Sequence, residues 1–229
     1  SKQPARASAI LAFARSNIFF VIAATVVAIF VLSAVFAPLV APHPPLDQDM
    51  AAFMSPPLTE SHALGTDSFG RDLLSRTIYG ARYALAIGFG AVLIGAMGGL
   101  IIGMAAGLLG GVTEWALMRF IDALLALPSL IMAIAFISIL GQGVDKVILA
   151  VGVALIGPFS RTVRADVLQI KAQAFVEAAG LMVVKRLAII WRHILPNVIF
   201  PLAVQATIRV SYAVLVSSGL SFLGIGVAP

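Results

Sequence analysis

YALAIGFGAVLIGAMGGLIIGMAAGLLGGVT, residues 83–113, contains no Asp, Glu, Lys or Arg. A helix needs roughly 20 mostly apolar residues to cross a hydrocarbon core about 30 Å thick. This run is longer than that. Glycine recurs within it at Gly95, Gly99, Gly103, Gly107 and Gly111. Residues four apart share a helical face, and small residues on one face let a second helix approach closely in a membrane. The stretch therefore predicts a transmembrane helix with a smooth packing stripe.

Two more runs lack charge, residues 18–40 and 123–144. Residues 147–160 and 198–222 are weaker candidates, the first short and the second interrupted by Arg209. The composition agrees: 61% of residues are apolar and 11% charged. A soluble domain carries about 25% charged residues to cover its surface. A signal peptide would explain the cationic start (Lys2, Arg6, Arg15), but the apolar run is too long and lacks a small-residue cleavage pattern. A retained first span is expected. There is no cysteine for disulfides or thiolate metal sites. His43, His62 and His193 are scattered without zinc spacing, so no metal is expected. No basic–aromatic patch points to nucleic acid.

Charge sets the topology, because cytoplasmic loops collect Lys and Arg. Residues 1–16 hold three cations and no acid. Residues 161–197 hold Arg161, Arg164, Lys171, Lys185, Arg186 and Arg192 against Asp166 and Glu177. Residues 42–81 hold Asp47, Asp49, Glu60, Asp67 and Asp72 against Arg71 and Arg76. The prediction is an all-α polytopic bundle with its N-terminus inside. Five spans fit, at about 17–41, 83–110, 115–140, 146–165 and 198–222, with a sixth expected beyond Pro229. Residues 1–16 form a cytoplasmic tail and 42–82 an external loop with a short interfacial helix. Residues 83–229 form the core, with a cytoplasmic loop at 166–197.

The external loop is rich in proline (Pro42, Pro44, Pro45, Pro56, Pro57), which suits an extended segment. Thr66 or Asp67 is placed to cap a helix starting near Phe69. Arg71, Arg76 and Arg82 can snorkel to headgroups at the outer interface. In the third span Arg119 and Asp122 stand three apart, on one face, where they can pair. Pro128 interrupts that helix, and Pro158 is expected to do the same in the fourth. Arg209 falls near the middle of the fifth span, followed by Ser211, Tyr212, Ser217 and Ser218. An ionisable residue at that depth faces a partner or a water-filled cavity. A substrate path and a structural ion pair both fit it.

The segment AFVEAAGLMVVKRLAIIWRHILPN, residues 174–197, is basic and partly amphipathic. Glu177, Ala178 and Ala179 form an acidic-small-small patch, with Gly180 next. The small residues let a helix seat deeply, and a carboxylate takes charge-assisted hydrogen bonds. Lys185, Arg186, Arg192 and His193 follow. Such a segment alone also fits a helix lying on the membrane surface.

This segment resembles the EAA loop of the membrane subunits of bacterial ATP-binding-cassette importers. The RHILPN ending resembles the peptide, nickel and opine branch. So do LGTDSFGRDLLSRTIYGAR (64–82), MRFIDALLALPSL (118–130) and LSFLGIGV (220–227). The resemblance runs in order from about residue 10 to the end and, within that branch, is to the dipeptide or oligopeptide permease C-type subunits. Three positions depart from it. Val183 stands where the family has glycine, and Ser217 where relatives often have Glu, with Arg209 where small residues are usual.

The resemblance implies a type I importer fold and a coupling helix that seats in a groove of a cytoplasmic ATPase. It implies as partners two ATPase subunits, a second homologous permease subunit and an external solute-binding protein, besides the lipid bilayer. The chain has no GxxxxGK[ST] phosphate-cradling loop. It is therefore expected to bind no cofactor itself, with ATP and Mg used by the ATPase subunits. Di- or oligopeptides, moved by alternating access, lead as substrate, with nickel chelates, opines and glutathione-like solutes behind. An ion-coupled secondary transporter would need buried coupling carboxylates, and only Asp122 stands out. A membrane enzyme would need a convergent His/Asp/Glu cluster, which the spans do not show.

Overall fold

The computed structural model describes residues 17–59, 61–174 and 186–226. Two units divide the chain, Ser1–Leu85 and Ala86–Pro229. Among the described residues every regular element is helical, apart from two isolated bridges, Thr59 with His62 and Thr66 with Asp72.

In the first unit, α1 spans Ile18–Val35 with a mean hydropathy of 2.9. Its apolar side chains are exposed around the whole circumference, including Phe19, Ile22, Val26 and Ile29. A helix apolar all round is what a bilayer solvates. The chain bends at Phe36 into the short α2, Ala37–Val40, with Pro38 in its first turn. The proline-rich loop follows. The expected short helix from Phe69 does not form. Asp67 closes a turn instead, its Oδ1 accepting the backbone N–H groups of Phe69 and Arg71 at 2.8 and 3.0 Å. The helix starts at Leu73, where Asp72 Oδ2 accepts the Ser75 N–H at 2.7 Å, an N-cap bond. It then runs unbroken as α3, Leu73–Leu109. At about 1.5 Å per residue α3 is roughly 55 Å long, well beyond the hydrocarbon thickness.

In the second unit, α4 (Gly111–Leu125) and α5 (Ser129–Leu140) form the expected third span, bent by 87° at the break before Ser129. Pro128 sits at this break, as its fixed φ and missing N–H dictate. Helix α6, Val144–Lys171, is the centre of the unit. Val147, Val151, Leu155, Phe159, Val163 and Val167 are fully buried along it. Pro158 does not interrupt this helix, contrary to expectation. The bond it removes is one among many, and the surrounding turns are held by packing on several sides. Helix α7 (Arg186–Ile189) leads through a widened turn at Ile190–Ile194 into α8, Leu195–Phe222.

The glycine stripe explains how α3 and α6 meet. Gly95, Gly99, Gly103 and Gly107 face Leu155, Phe159, Val163 and Val167 in turn. A Cβ on Gly103 would stand 2.6 Å from Val163 Cβ and 2.7 Å from the Ser160 carbonyl oxygen. Gly111 is not part of this seam. It faces open space, and with Gly110 it makes the turn into α4, at φ of +56° and +68°.

The register rises together on both helices, so α3 and α6 are parallel. Ile148 lies beside Gly90, near the start of α6, while Lys171 at its end donates to the Gly107 carbonyl at 2.9 Å. Those two levels are about 25 Å apart along α3. The chain leaves α3 at one level and enters α6 at the other. The bent pair α4–α5 must therefore carry it across, which makes that pair a span and gives five among the described residues. The end of α8 returns to the Val144 level, where Gln142 Nε2 donates to the Gly224 carbonyl at 3.0 Å.

Gly103→Ala is expected to lower the thermal midpoint in detergent, since overpacking a close contact costs about 1–3 kcal/mol. Gly80 also lies in α3 but faces open space, so Gly80→Ala should raise the midpoint slightly, by about 0.5–1 kcal/mol of helix propensity. Equal effects of the two changes would mean the seam is loose.

Candidate functional site

At the Leu109 end, α4 and α6 are tied by charge. Arg164 Nε donates to Glu114 Oε1 at 2.6 Å, and Arg161 donates to Asp122 Oδ1 at 2.6 Å. The expected Arg119–Asp122 pair does not form. Asp122 is taken by the neighbouring helix, and the Arg119 guanidinium stands 5.6 Å from the centre of the Trp115 ring. The two residues share a face, but α6 supplies a fixed guanidinium across the helix contact, which sequence spacing cannot reveal. A cleft of about 510 Å³ opens between these side chains, lined also by Gly111 and Met118.

The expected coupling segment is described in part. Glu177, Ala178, Ala179, Gly180, Val183 and Lys185 lie outside the described residues. Residues 166–171, expected in the loop, belong to α6. Arg186 opens α7. Arg192 and His193 sit in the widened turn, where the Leu195 N–H bonds the Ile190 carbonyl five residues back. Pro196 follows and has no N–H for the Arg192 carbonyl, so an ordinary turn cannot close there. Asn197 Nδ2 donates to the His193 carbonyl at 2.6 Å. Trp191 and Leu187 are exposed, whereas Ile189 and Ile194 are buried. The segment thus has one anchored face and one open face.

Arg209 and Tyr212 lie together on α8, the guanidinium carbon 6.0 Å from the Tyr212 ring centre. The Tyr212 hydroxyl is hydrogen-bonded to Ser129 at the start of α5. Among the described residues Arg209 has no ion pair, which leaves its charge available. Ser211 is exposed. Ser217 is buried, and its hydroxyl is bonded to the Val214 carbonyl of its own helix at 2.9 Å. The structure thus joins Arg209 to Tyr212, while Ser217 is buried against its own helix.

The proline-rich loop holds what the sequence did not show. His43 and His62, treated above as scattered, have ring centres 5.0 Å apart. His62 Nδ1 is 3.0 Å from Asp72 Oδ1, and His43 Nε2 donates to the Ser61 carbonyl at 2.8 Å. Nearby, Asp67 binds Arg71 of the loop at 2.8 Å and approaches Arg76, in the first turn of α3, at 3.7 Å.

Residues 99–229 match the family of binding-protein-dependent transport system inner membrane components. Residues 12–57 match the N-terminal transmembrane domain of oligopeptide transport permease C. The chain belongs to this family of permeases. It is 35% identical over 212 residues to a dipeptide transport system permease protein of Alkalihalophilus pseudofirmus, covering 93% of this chain and 69% of that one. It is 39% identical over 206 residues to a di/tripeptide transport system permease protein of Pseudomonas aeruginosa, covering 88% and 68%. A glutathione transport system permease protein of Escherichia coli is 38% identical over 207 residues, covering 90% and 68%.

As a permease of this family, the chain is a multi-pass, non-catalytic membrane component of an ATP-binding-cassette transport system. Its membership implies ATPase and binding-protein partners. The five spans and the turn before α8 are thus the transmembrane frame of a permease. The ion pairs between α4 and α6 stiffen one end of it.

The loop turn of this permease carries its own pH dependence. Burial raises the Asp67 pKa, but hydrogen bonds from the Arg71 and Phe69 N–H groups and the Arg71 guanidinium outweigh it, so the folded value lies below 3.8. A carboxyl depressed on folding stabilises above its unfolded pKa and loses that contribution as pH falls through the folded value. Proteolysis of the loop should therefore stay slow from neutral pH to about pH 4 and quicken below it. Asp67→Asn should be cut faster at neutral pH and respond less to acid. An unchanged acid profile in Asp67→Asn would assign the sensitivity elsewhere.

Proposed function

We propose that this chain is one permease subunit of an importer that moves di- or tripeptides across the cytoplasmic membrane by alternating access, with its N-terminus inside. The supporting observation is sequence likeness to two peptide permeases over 88–93% of the chain. A second homologous permease completes the pathway. Two ATPase subunits use ATP and Mg, and an external binding protein delivers the substrate. The likeness to a glutathione permease favours a second reading, a glutathione-like tripeptide as cargo.

In this scheme ATPase closure pushes on the segment from Glu177 to His193. Its described part, from Arg186 on, is continuous with α8 through the widened turn, so a displacement there reaches the helix that carries Arg209. Arg209 offers a positive charge to the carboxylate of a peptide, held against Tyr212. A ligand drives such a change only through unequal affinity for the two states. Selection of the cargo rests mainly on the external binding protein.

The test is uptake and substrate-stimulated ATPase in vesicles holding the assembled complex. Glu177→Lys should assemble yet lose at least tenfold of both activities. Normal uptake by the assembled variant would remove the coupling role. In the same vesicles Arg209→Ala should impair peptides with a free carboxylate more than amidated ones, and equal losses would remove Arg209 from the binding of cargo.

A further inference from the structure

We propose that His43, His62 and Asp72 form a binding site for a divalent transition-metal ion of the zinc class, which fastens the proline-rich loop to the start of α3. The three residues come from distant points of the loop. One donor atom from each lies within 4.8 Å of the other two. His62 and Asp72 are nearly inaccessible, at 5% and 1%, and His43 is half-buried.

The charge balance points to a cation. A buried carboxylate is costly unless a positive partner or several donors satisfy it. The loop's arginines are not used for Asp72: Arg71 and Arg76 both turn to Asp67. Asp72 is left with donors at Ser75 and with His62, which is a cation only when protonated. A metal ion supplies the missing charge whatever the protonation of the ring.

The donor chemistry selects the ion. Two imidazoles and one carboxylate suit zinc and its neighbours, whereas calcium takes six or more oxygens. Donors about 2.0–2.1 Å from a tetrahedral ion stand about 3.3 Å from each other. His62 Nδ1 and Asp72 Oδ1 are already 3.0 Å apart. The remaining closure falls to His43, the most exposed of the three. Its Nε2 donates to the exposed Ser61 carbonyl, and its backbone N–H donates to Ser75 Oγ at 3.0 Å. Rotation of that one ring brings the third donor in. Three protein ligands leave a fourth position for water or for a group on a docking partner.

The site does not depend on the identity of the cargo. The test uses the intact permease, purified without a histidine tag, with zinc counted after equilibrium dialysis and thermal unfolding followed in parallel. One zinc per chain is expected, with a raised midpoint and no response to calcium. His43→Gln and His62→Gln should each weaken zinc binding at least tenfold, on the scale seen when groups around metal sites are removed. His43 is the safer variant, since it is the least buried. Asp72→Asn keeps a side chain able to cap α3 and should also weaken binding. No saturable zinc binding, or unchanged binding by His43→Gln, would overturn the site. In that case the cluster is a hydrogen-bonded clasp alone.

Discussion

Close approach of α3 to α6 governs the described bundle. Two helices in a membrane gain little from leaving lipid, because lipid tails are as apolar as leucine. What remains is dispersion, and dispersion needs contact. Glycine every fourth residue on α3 lets the buried stripe of α6, from Leu155 to Val167, lie against its backbone. Because both stripes rise in the same direction, the seam fixes the helices as parallel. Parallel neighbours in a membrane cannot be joined by a short turn. The intervening residues have to cross, and the bent pair α4–α5 is the crossing.

The bend follows from that demand and from Pro128. Helix α4 leaves the Gly110–Gly111 turn and runs aslant, so its charged side chains meet α6 near the Leu109 end. Helix α5 then turns by 87°. Leu125 fills the space above Gly157, where an added Cβ would stand 2.9 Å from its Cδ2. Ser129, on the far side of the bend, reaches Tyr212 of α8. Helix α8 is therefore held by the same element that makes the crossing, which gives the bend a mechanical link to the helix that carries Arg209.

Much of this was legible in the sequence, and the gaps have physical reasons. Charge-free runs gave three of the spans and weaker apolar stretches the other two, because the bilayer imposes a length. The four-residue glycine period gave the seam, although Gly111 read as a fifth member and turned out to be a turn residue. Pro128 and Pro158 looked alike. They differ because one stands at a helix junction and the other inside a helix buried on several sides. Arg119 and Asp122 matched in local spacing, but Arg161, on a different helix, took the carboxylate. His43, His62 and Asp72 have no local pattern, and only closure of the loop brings them together. The Glu177 patch lies outside the described residues, so its role rests on sequence likeness and on the anchored turn that follows it.

Side-specific labelling tests the parallel seam and the crossing most directly. The chain contains no cysteine, so single cysteines can be introduced at the exposed Thr113, just after the turn from α3, and at Gln142, just before α6. An impermeant thiol reagent added to one face of sealed vesicles should label Thr113→Cys or Gln142→Cys, and the other only when added to the opposite face. Labelling of both from the same face would mean that α4–α5 dips into the membrane and returns, and it would contradict the five-span account.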